Sequence, residues 1–239
     1  MIKKKVLNIN LIQNEFLHDV AQQYEARSAT QDIEQHFRNL YDSWEQAKED
    51  GSLWHYADNQ WFSGNKELWN EFVNHVKDRK CLEIGSGPFG YLAPCYWIKD
   101  RIVIDPLINF YRDEQLRVHG KTFFVDEIKT YNVPAENCLD ELIGKIDGFI
   151  VCRNALDHCE DPLKILENIS DYAASGAYLL LWTDIFHLMG LDEGHRNITR
   201  SPKVLEKLLR GLEFEILQEG AKIRDPNEYI EFGILARKI

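Results

Sequence analysis

The stretch Cys81-Leu82-Glu83-Ile84-Gly85-Ser86-Gly87-Pro88-Phe89-Gly90 decides how this chain is read. A short apolar run carrying one acid, Glu83, ends in a loop with three glycines. The run over residues 80–84 predicts a β-strand, and the glycines predict a turn out of it. At positions 85 and 87 glycine lets backbone pass close to a bound ligand, where any Cβ would obstruct it. Gly85, Gly87 and Gly90 also satisfy the spacing GxGxxG. That spacing does not by itself separate a cofactor site from a tight strand-to-helix turn, since both want glycine.

Outward from this loop, strand-like and helix-like segments alternate. A helix is expected over residues 66–77 before the first strand and another over 91–97 after it. A second strand over 101–105 ends in Asp105, 22 residues beyond Glu83. A carboxylate there can accept hydrogen bonds from both hydroxyls of a ribose, or it can cap a turn ahead of Pro106. Further strands are expected over 122–125, 147–152 and 177–182, with helices over 108–119 and 162–173. Apolar runs of this length separated by helices predict strands buried on both faces of a parallel sheet. Residues 201–210 read as a helix, with Ser201 and Pro202 as cap and first turn. Residues 214–218 and 229–236 then read as two strands joined by a loop holding Asp225-Pro226-Asn227. With no room for a crossover helix, these two must pair antiparallel. The expected fold class is α/β: a doubly wound, seven-stranded, mostly parallel sheet closed by an antiparallel C-terminal pair.

Residues 14–49 carry apolar positions at helical spacing (Phe16, Leu17, Val20, Tyr24, then Ile33, Phe37, Leu40, Tyr41, Trp44), which predicts a helical extension. Residues 51–64 add Trp54, Tyr56, Trp61 and Phe62, suited either to packing on the core or to walling a ligand. The expected division is an N-terminal extension or cap over residues 1–64 and a ligand-binding domain over 65–239.

The 239 residues carry a formal charge of -11, and 44% are hydrophobic, enough for one large core. An acidic surface repels phosphate backbones, so nucleic acid is not expected as a partner. The five cysteines include no CxxC pair and suit reduced core thiols, hence a cytoplasmic setting. The basic start is followed by an apolar stretch broken by Asn8, Asn10, Gln13 and Asn14, unlike a secretory signal. No run approaches the roughly 18 apolar residues of a membrane helix, so no membrane is expected.

These motifs resemble those of the class I S-adenosylmethionine-dependent methyltransferase family over residues 68–237, about seven-tenths of the chain. Glu83-Ile84-Gly85-Ser86-Gly87 is similar to the family's acidic-x-Gly-x-Gly motif, and Asp105 to its ribose-binding acid. Pro134-Ala135-Glu136-Asn137 resembles the segment beside the adenine. Asp147-Gly148-Phe149-Ile150-Val151 resembles the fourth strand, and residues 155–162 the Leu-x-His-x-x-Asp-Pro run that often follows it. The resemblance implies a Rossmann-like methyltransferase fold with S-adenosyl-L-methionine as cofactor. It implies cofactor contacts at Glu83, Gly85, Ser86, Gly87, Asp105, Pro106, Ala135, Glu136 and Arg153. One departure stands out: the family's third glycine commonly sits two residues after the second, where this chain has Phe89, with Gly90 one later.

A dinucleotide is the alternative cofactor. Its pyrophosphate needs free backbone N–H groups at a helix N-terminus. Pro88 removes one such donor, and Glu83 places a carboxylate where it would repel phosphate. S-adenosylmethionine has no phosphate, and its ammonium and sulfonium are cationic, so Glu83 favours it.

Methyl transfer from a sulfonium asks chiefly for alignment and exclusion of water. If the acceptor is a hydroxyl or a protonated amine, a base assists. Candidate catalytic residues are Asp157, His158 and His195, with Asp184 and His187 also on the loops after strands four and five. The expected partner is a small or medium-sized acceptor methylated on oxygen or nitrogen. No metal is expected: Asn154, Asp157 and Asp184 have no compelling spacing, and Cys152, Cys159 and His158 match structural zinc poorly. A rival from another class is a non-catalytic module that uses the same fold to bind a ligand or partner.

Overall fold

Four consecutive buried residues, Cys81 to Ile84, make β1 (Lys80–Ile84) the central strand of the sheet. Our computed structural model describes residues 65–88, 90–93, 95, 98–122, 124, 127–186, 201–225 and 229–239. The expected extension over residues 1–64 and the loop carrying His187 and His195 lie outside these residues. β1 pairs in parallel with β2 (Asp100–Ile104) on one side and β4 (Phe149–Arg153) on the other. β3 (Ile128–Tyr131) lies beyond β2, and β5 (Tyr178–Phe186) beyond β4, both parallel. β7 (Tyr229–Lys238) and β6 (Phe214–Asp225) complete the sheet antiparallel, in the order β3-β2-β1-β4-β5-β7-β6. The doubly wound, seven-stranded sheet with an antiparallel C-terminal pair is therefore as expected.

The period-two alternation of strand side chains separates two cores. Ile150 and Cys152 of β4 face one way, with Leu82, Ile84, Leu179 and Leu181, and pack against Ile165, Ile169 and Tyr172. Phe149 and Val151 face the other way, with Cys81, Tyr178 and Leu180, against Phe72 and Val76. The first set of helical partners comes from α3 (Pro162–Tyr172) and the second from α1 (Lys66–Val76). Each helix begins on a polar cap: Asn65 accepts from the Leu68 amide and Asp161 from the Lys164 amide. Phe72 lies fully buried between the rings of Phe149 and Tyr178, 5.5 and 5.4 Å away. Truncating such a ring to alanine costs about 3–5 kcal/mol. α2 (Ile108–His119) ends on Gly120, whose φ of 70° provides the left-handed cap that stops it. α4 (Pro202–Gly211) starts with proline, as the Ser201-Pro202 pair implies.

Two expected elements are corrected. Thr122 and Phe124, placed by the sequence in the third strand, are not in a strand, and β3 is Ile128–Tyr131. The Phe124 backbone is satisfied by side chains instead: its N–H donates to Thr122 Oγ1 and its carbonyl accepts from the Arg112 guanidinium. β3 is a short edge strand whose one buried residue, Ile128, gave no apolar run to find. The helix expected over 91–97 is also absent among its described residues. Turns replace it, with the Cys95 amide on the Leu92 carbonyl and the Ile98 amide on the Cys95 carbonyl. Pro94 disfavours helical backbone at residue 93 and supplies no N–H.

Candidate functional site

The strand order changes direction at β1: the chain passes from β1 outward to β2 and β3, then returns to β4 on the other side. In open α/β sheets the crevice at such a switch point, beyond the carboxyl ends of the strands, is where ligands bind. The glycine-rich loop leaves β1 there, residues 154–159 leave β4 beside it, and Asp105 directly follows β2.

Both ends of the loop are held by buried carboxylates. Glu83 is 3% exposed and accepts from the amides of Tyr91 at 2.6 Å and Leu92 at 2.8 Å. Asp105 is 5% exposed and accepts from the Gly87 amide at 3.0 Å, the Ser86 hydroxyl at 3.4 Å and the Leu107 amide at 2.7 Å. Burial pushes the Glu83 carboxyl up to about 7, against the pull of its two amide donors, and the neighbouring Asp105 adds to the rise. Burial likewise pushes Asp105 up to about 6, opposed by the Leu107 and Gly87 amides and by Ser86. Each group is costly to charge in this low-dielectric setting, and each charge is met by backbone dipoles.

The glycines serve distinct geometric needs. Gly85, Gly87 and Gly90 all have positive φ, at 68°, 58° and 61°. A Cβ on Gly85 would collide with that of Ala155, so this glycine lets the loops after β1 and β4 touch. A Cβ on Gly90 would stand 2.9 Å from Glu83 Oε2. A Cβ on Gly87 would meet nothing within 4 Å, which leaves backbone facing open space. Gly90 also closes the loop by donating to the Ser86 carbonyl at 3.0 Å. The displaced third glycine therefore makes room for the acid of the motif.

Of the remaining expected cofactor residues, Pro106 follows Asp105 in the turn into α2, half-buried. Arg153 ends β4, and its guanidinium lies 5.3 Å from the centre of the Tyr91 ring. Ala135 is buried in the turn after β3, and the side-chain amide of Asn168 donates to the carbonyls of Ala135 at 2.8 Å and Glu136 at 3.0 Å. The Glu136 carboxylate accepts from the amides of Glu160 and Asp161, tying that turn to the start of α3. The turn also reaches the site from the other side, since the Asp105 amide donates to the carbonyl of Tyr131 at the end of β3.

Of the catalytic candidates, Asp157 and His158 form a short 3-10 turn after β4. Asp157 is fully buried, accepts from the Thr183 hydroxyl on β5 at 3.4 Å, and lies 3.6 Å from His158 Nε2. The His158 side chain is 35% exposed. Asp184 lies on β5 opposite Glu231 of β7. His195 and His187 are outside the described residues.

The structure adds residues that pattern reading passed over. Asn168 is a fully buried amide on α3 among Ile165, Ile169 and Tyr172, and its signal is a polar residue at an apolar helical position. Ala155 and Thr183 have no sequence signal of their own. Among the described residues, no group of three His, Cys, Asp or Glu side chains could hold a metal ion, and no helix is long and apolar enough to cross a membrane. All five cysteines are free, four of them buried and Cys138 exposed.

The residues present suit S-adenosylmethionine better than a dinucleotide. The amides of Tyr91 and Leu92, where a pyrophosphate would seek donors, are taken by Glu83, and the described residues after the loop form no helix whose N-terminus could hold phosphate. Two buried carboxylates beside an open glycine backbone instead favour a cationic ligand that carries a ribose.

No family model matches the chain, and no curated protein matches it in sequence. Solved structures do match its fold. The cyclase SpnF shares 15% identity over 72% of this chain and 80% of its own, with a TM-score of 0.52. The trans-methyltransferase CalH, solved in complex with SAH, shares 17% over 72% of this chain and 55% of its own, also at 0.52. An S-adenosylmethionine-dependent methyltransferase from Methanosarcina mazei shares 20% over 70% of this chain and 96% of its own, at 0.50. The chain thus has the Rossmann-like fold of class I methyltransferases. A cyclase has it too, so the fold leaves the reaction open.

Proposed function

We propose that the chain is an S-adenosylmethionine-dependent methyltransferase acting on a small or medium-sized acceptor at oxygen or nitrogen. The observation that carries this reading is the pair of buried carboxylates, Glu83 and Asp105, that grip a glycine-rich loop from the ends of adjacent parallel strands. When bound, the cofactor supplies an activated methyl group on a cationic sulfur. Residues 65–239 form the cofactor-binding domain, preceded by the N-terminal extension or cap of residues 1–64.

In this reading Asp105 accepts from the ribose hydroxyls, exchanging the Gly87 amide and the Ser86 hydroxyl for them. Glu83 holds the loop through Tyr91 and Leu92 and sets a negative potential near the ligand's ammonium. Gly85, Ser86 and Gly87 present backbone to the cofactor, with Pro106, Ala135, Glu136 and Arg153 around it. His158 is the base that takes the acceptor's proton, and Asp157, held by Thr183, orients the imidazole. His195 is a second candidate base.

Isothermal titration tests the reading. S-adenosylmethionine or S-adenosylhomocysteine binds the wild-type chain, and Asp105→Ala weakens that binding at least tenfold. Binding of neither ligand would overturn it, and NAD binding in their place would install the dinucleotide reading. A second reading, a chain that binds the cofactor for another reaction or for none, draws on the fold shared with a cyclase. Bound cofactor with no methyl release across a broad acceptor panel would favour it.

A further inference from the structure

Gln115 is a buried polar side chain that the roles above leave unused. It lies on α2 in line with Ile108 and Tyr111, at helical spacing on the face turned to the core, and is fully buried. Its Nε2 donates to the carbonyl of Pro88, inside the glycine-rich loop. Its Oε1 accepts from Thr122 Oγ1 at 2.7 Å. That hydroxyl in turn accepts from the Phe124 amide at 3.1 Å, so its single proton is directed at Gln115. The Pro88 carbonyl can only accept, so the NH2 end of the amide must face it, and the oxygen end is left to take the Thr122 proton. The segment that aims Gln115 is itself anchored to α2, because the Phe124 carbonyl accepts from Arg112 Nε at 3.0 Å and Nη2 at 2.8 Å.

We infer that Gln115, oriented by Thr122, is a positioning residue for the cofactor loop. Glu83 holds the far end of the loop and Asp105 its near end, and Gln115 fixes the peptide between them. Pro88 has no N–H of its own, so its carbonyl is the polar backbone group it offers to such a hold. The chain of bonds joins the segment at residues 122–124 to the loop, so a disturbance there reaches the ligand without touching it. The inference rests on the proposed cofactor site for its functional meaning, though not for its geometry.

The test uses the full chain and two variants, Gln115→Met, which keeps the length and removes the polar ends, and the milder Thr122→Val. Hydrogen exchange of the ligand-free protein is followed over residues 85–92, and S-adenosylhomocysteine affinity is titrated alongside. Both variants are expected to speed exchange in the loop at least fivefold relative to β4 and β5 and to weaken the ligand about fivefold or more. The double variant is expected to be no worse than Gln115→Met alone, because the two residues act as one unit. Unchanged loop exchange, acceleration spread equally over the sheet, or additive effects would each overturn the inference. A wild-type chain that binds no S-adenosylhomocysteine would overturn the proposed function instead, and loop exchange would still decide the role of Gln115.

Discussion

A Cβ on Gly90 would stand 2.9 Å from Oε2 of Glu83, at a residue whose φ is 61°. The acid of the motif and its displaced glycine are thus one device: Gly90 clears the space through which Glu83 reaches the Tyr91 and Leu92 amides. Gly90→Ala is expected to cost about 1–3 kcal/mol, from the left-handed backbone together with the displaced carboxylate. It is also expected to weaken S-adenosylhomocysteine by tenfold or more. Chemical denaturation and titration measure the two effects, and a variant with native affinity would contradict the account of the loop.

The two carboxylates make binding and stability respond oppositely to pH. Their folded values, about 7 for Glu83 and about 6 for Asp105, lie above those of ordinary carboxylates. The folded state therefore binds these protons more tightly than the unfolded one. Their contribution to stability is fully present below the ordinary carboxylate range and is lost as pH rises through 6 and 7. The ligand-free melting temperature is expected to fall over that window, and Glu83→Gln is expected to remove the upper part of the decline. S-adenosylmethionine, which needs Asp105 charged, is expected to bind about tenfold more weakly at pH 5 than at pH 7, because one unit below its value Asp105 is mostly protonated. A flat affinity profile between pH 5 and 7 would count against Asp105 as the ribose acceptor.

His158 and Asp157 separate chemistry from binding. His158→Ala is expected to lower turnover by roughly 10²- to 10⁴-fold, the usual contribution of a positioned base, while S-adenosylhomocysteine affinity stays within about twofold. Asp157→Asn removes the buried negative charge 3.6 Å from His158 Nε2 and is expected to lower turnover less, with a shifted pH–rate profile. Full turnover in His158→Ala would show that alignment alone suffices.

Gly85 and Ala155 form a steric pair across the switch point. Gly85→Ala is expected to disrupt the site more than Gly87→Ala, because the new Cβ collides with Ala155 in the first case and meets open space in the second. Adding Ala155→Gly is expected to restore part of the loss. The φ of 68° at Gly85 keeps the rescue incomplete, with roughly 1–2 kcal/mol remaining. A double-mutant cycle in denaturant reads the coupling, and strictly additive values would contradict the contact.

Much of this arrangement was legible in residue order. Runs of buried side chains such as Cys81 to Ile84 and Phe149 to Cys152 announce central parallel strands, because two covered faces favour near-continuous apolar residues, Glu83 being the exception. Ile128–Tyr131 was not legible, since an edge strand with one buried residue carries no such run. Phe124 reads as strand but is not one, because its side chain is buried while its backbone is satisfied by Arg112 and Thr122 rather than by a ladder.

The sequence by itself determined the central strands β1, β2, β4 and β5, the acid–glycine loop and the second carboxylate at Asp105, because these follow from local periodicity and the conformational freedom of glycine. Tertiary structure alone decided what those residues do. Glu83 faces two amides eight and nine residues ahead, Gly90 leaves space for it, and Gln115 reaches the loop from α2. Such contacts depend on where β1, β2, β4 and α2 come to lie in space. No local pattern encodes that, since burial and hydrogen bonding over long separations are set only when the sheet assembles.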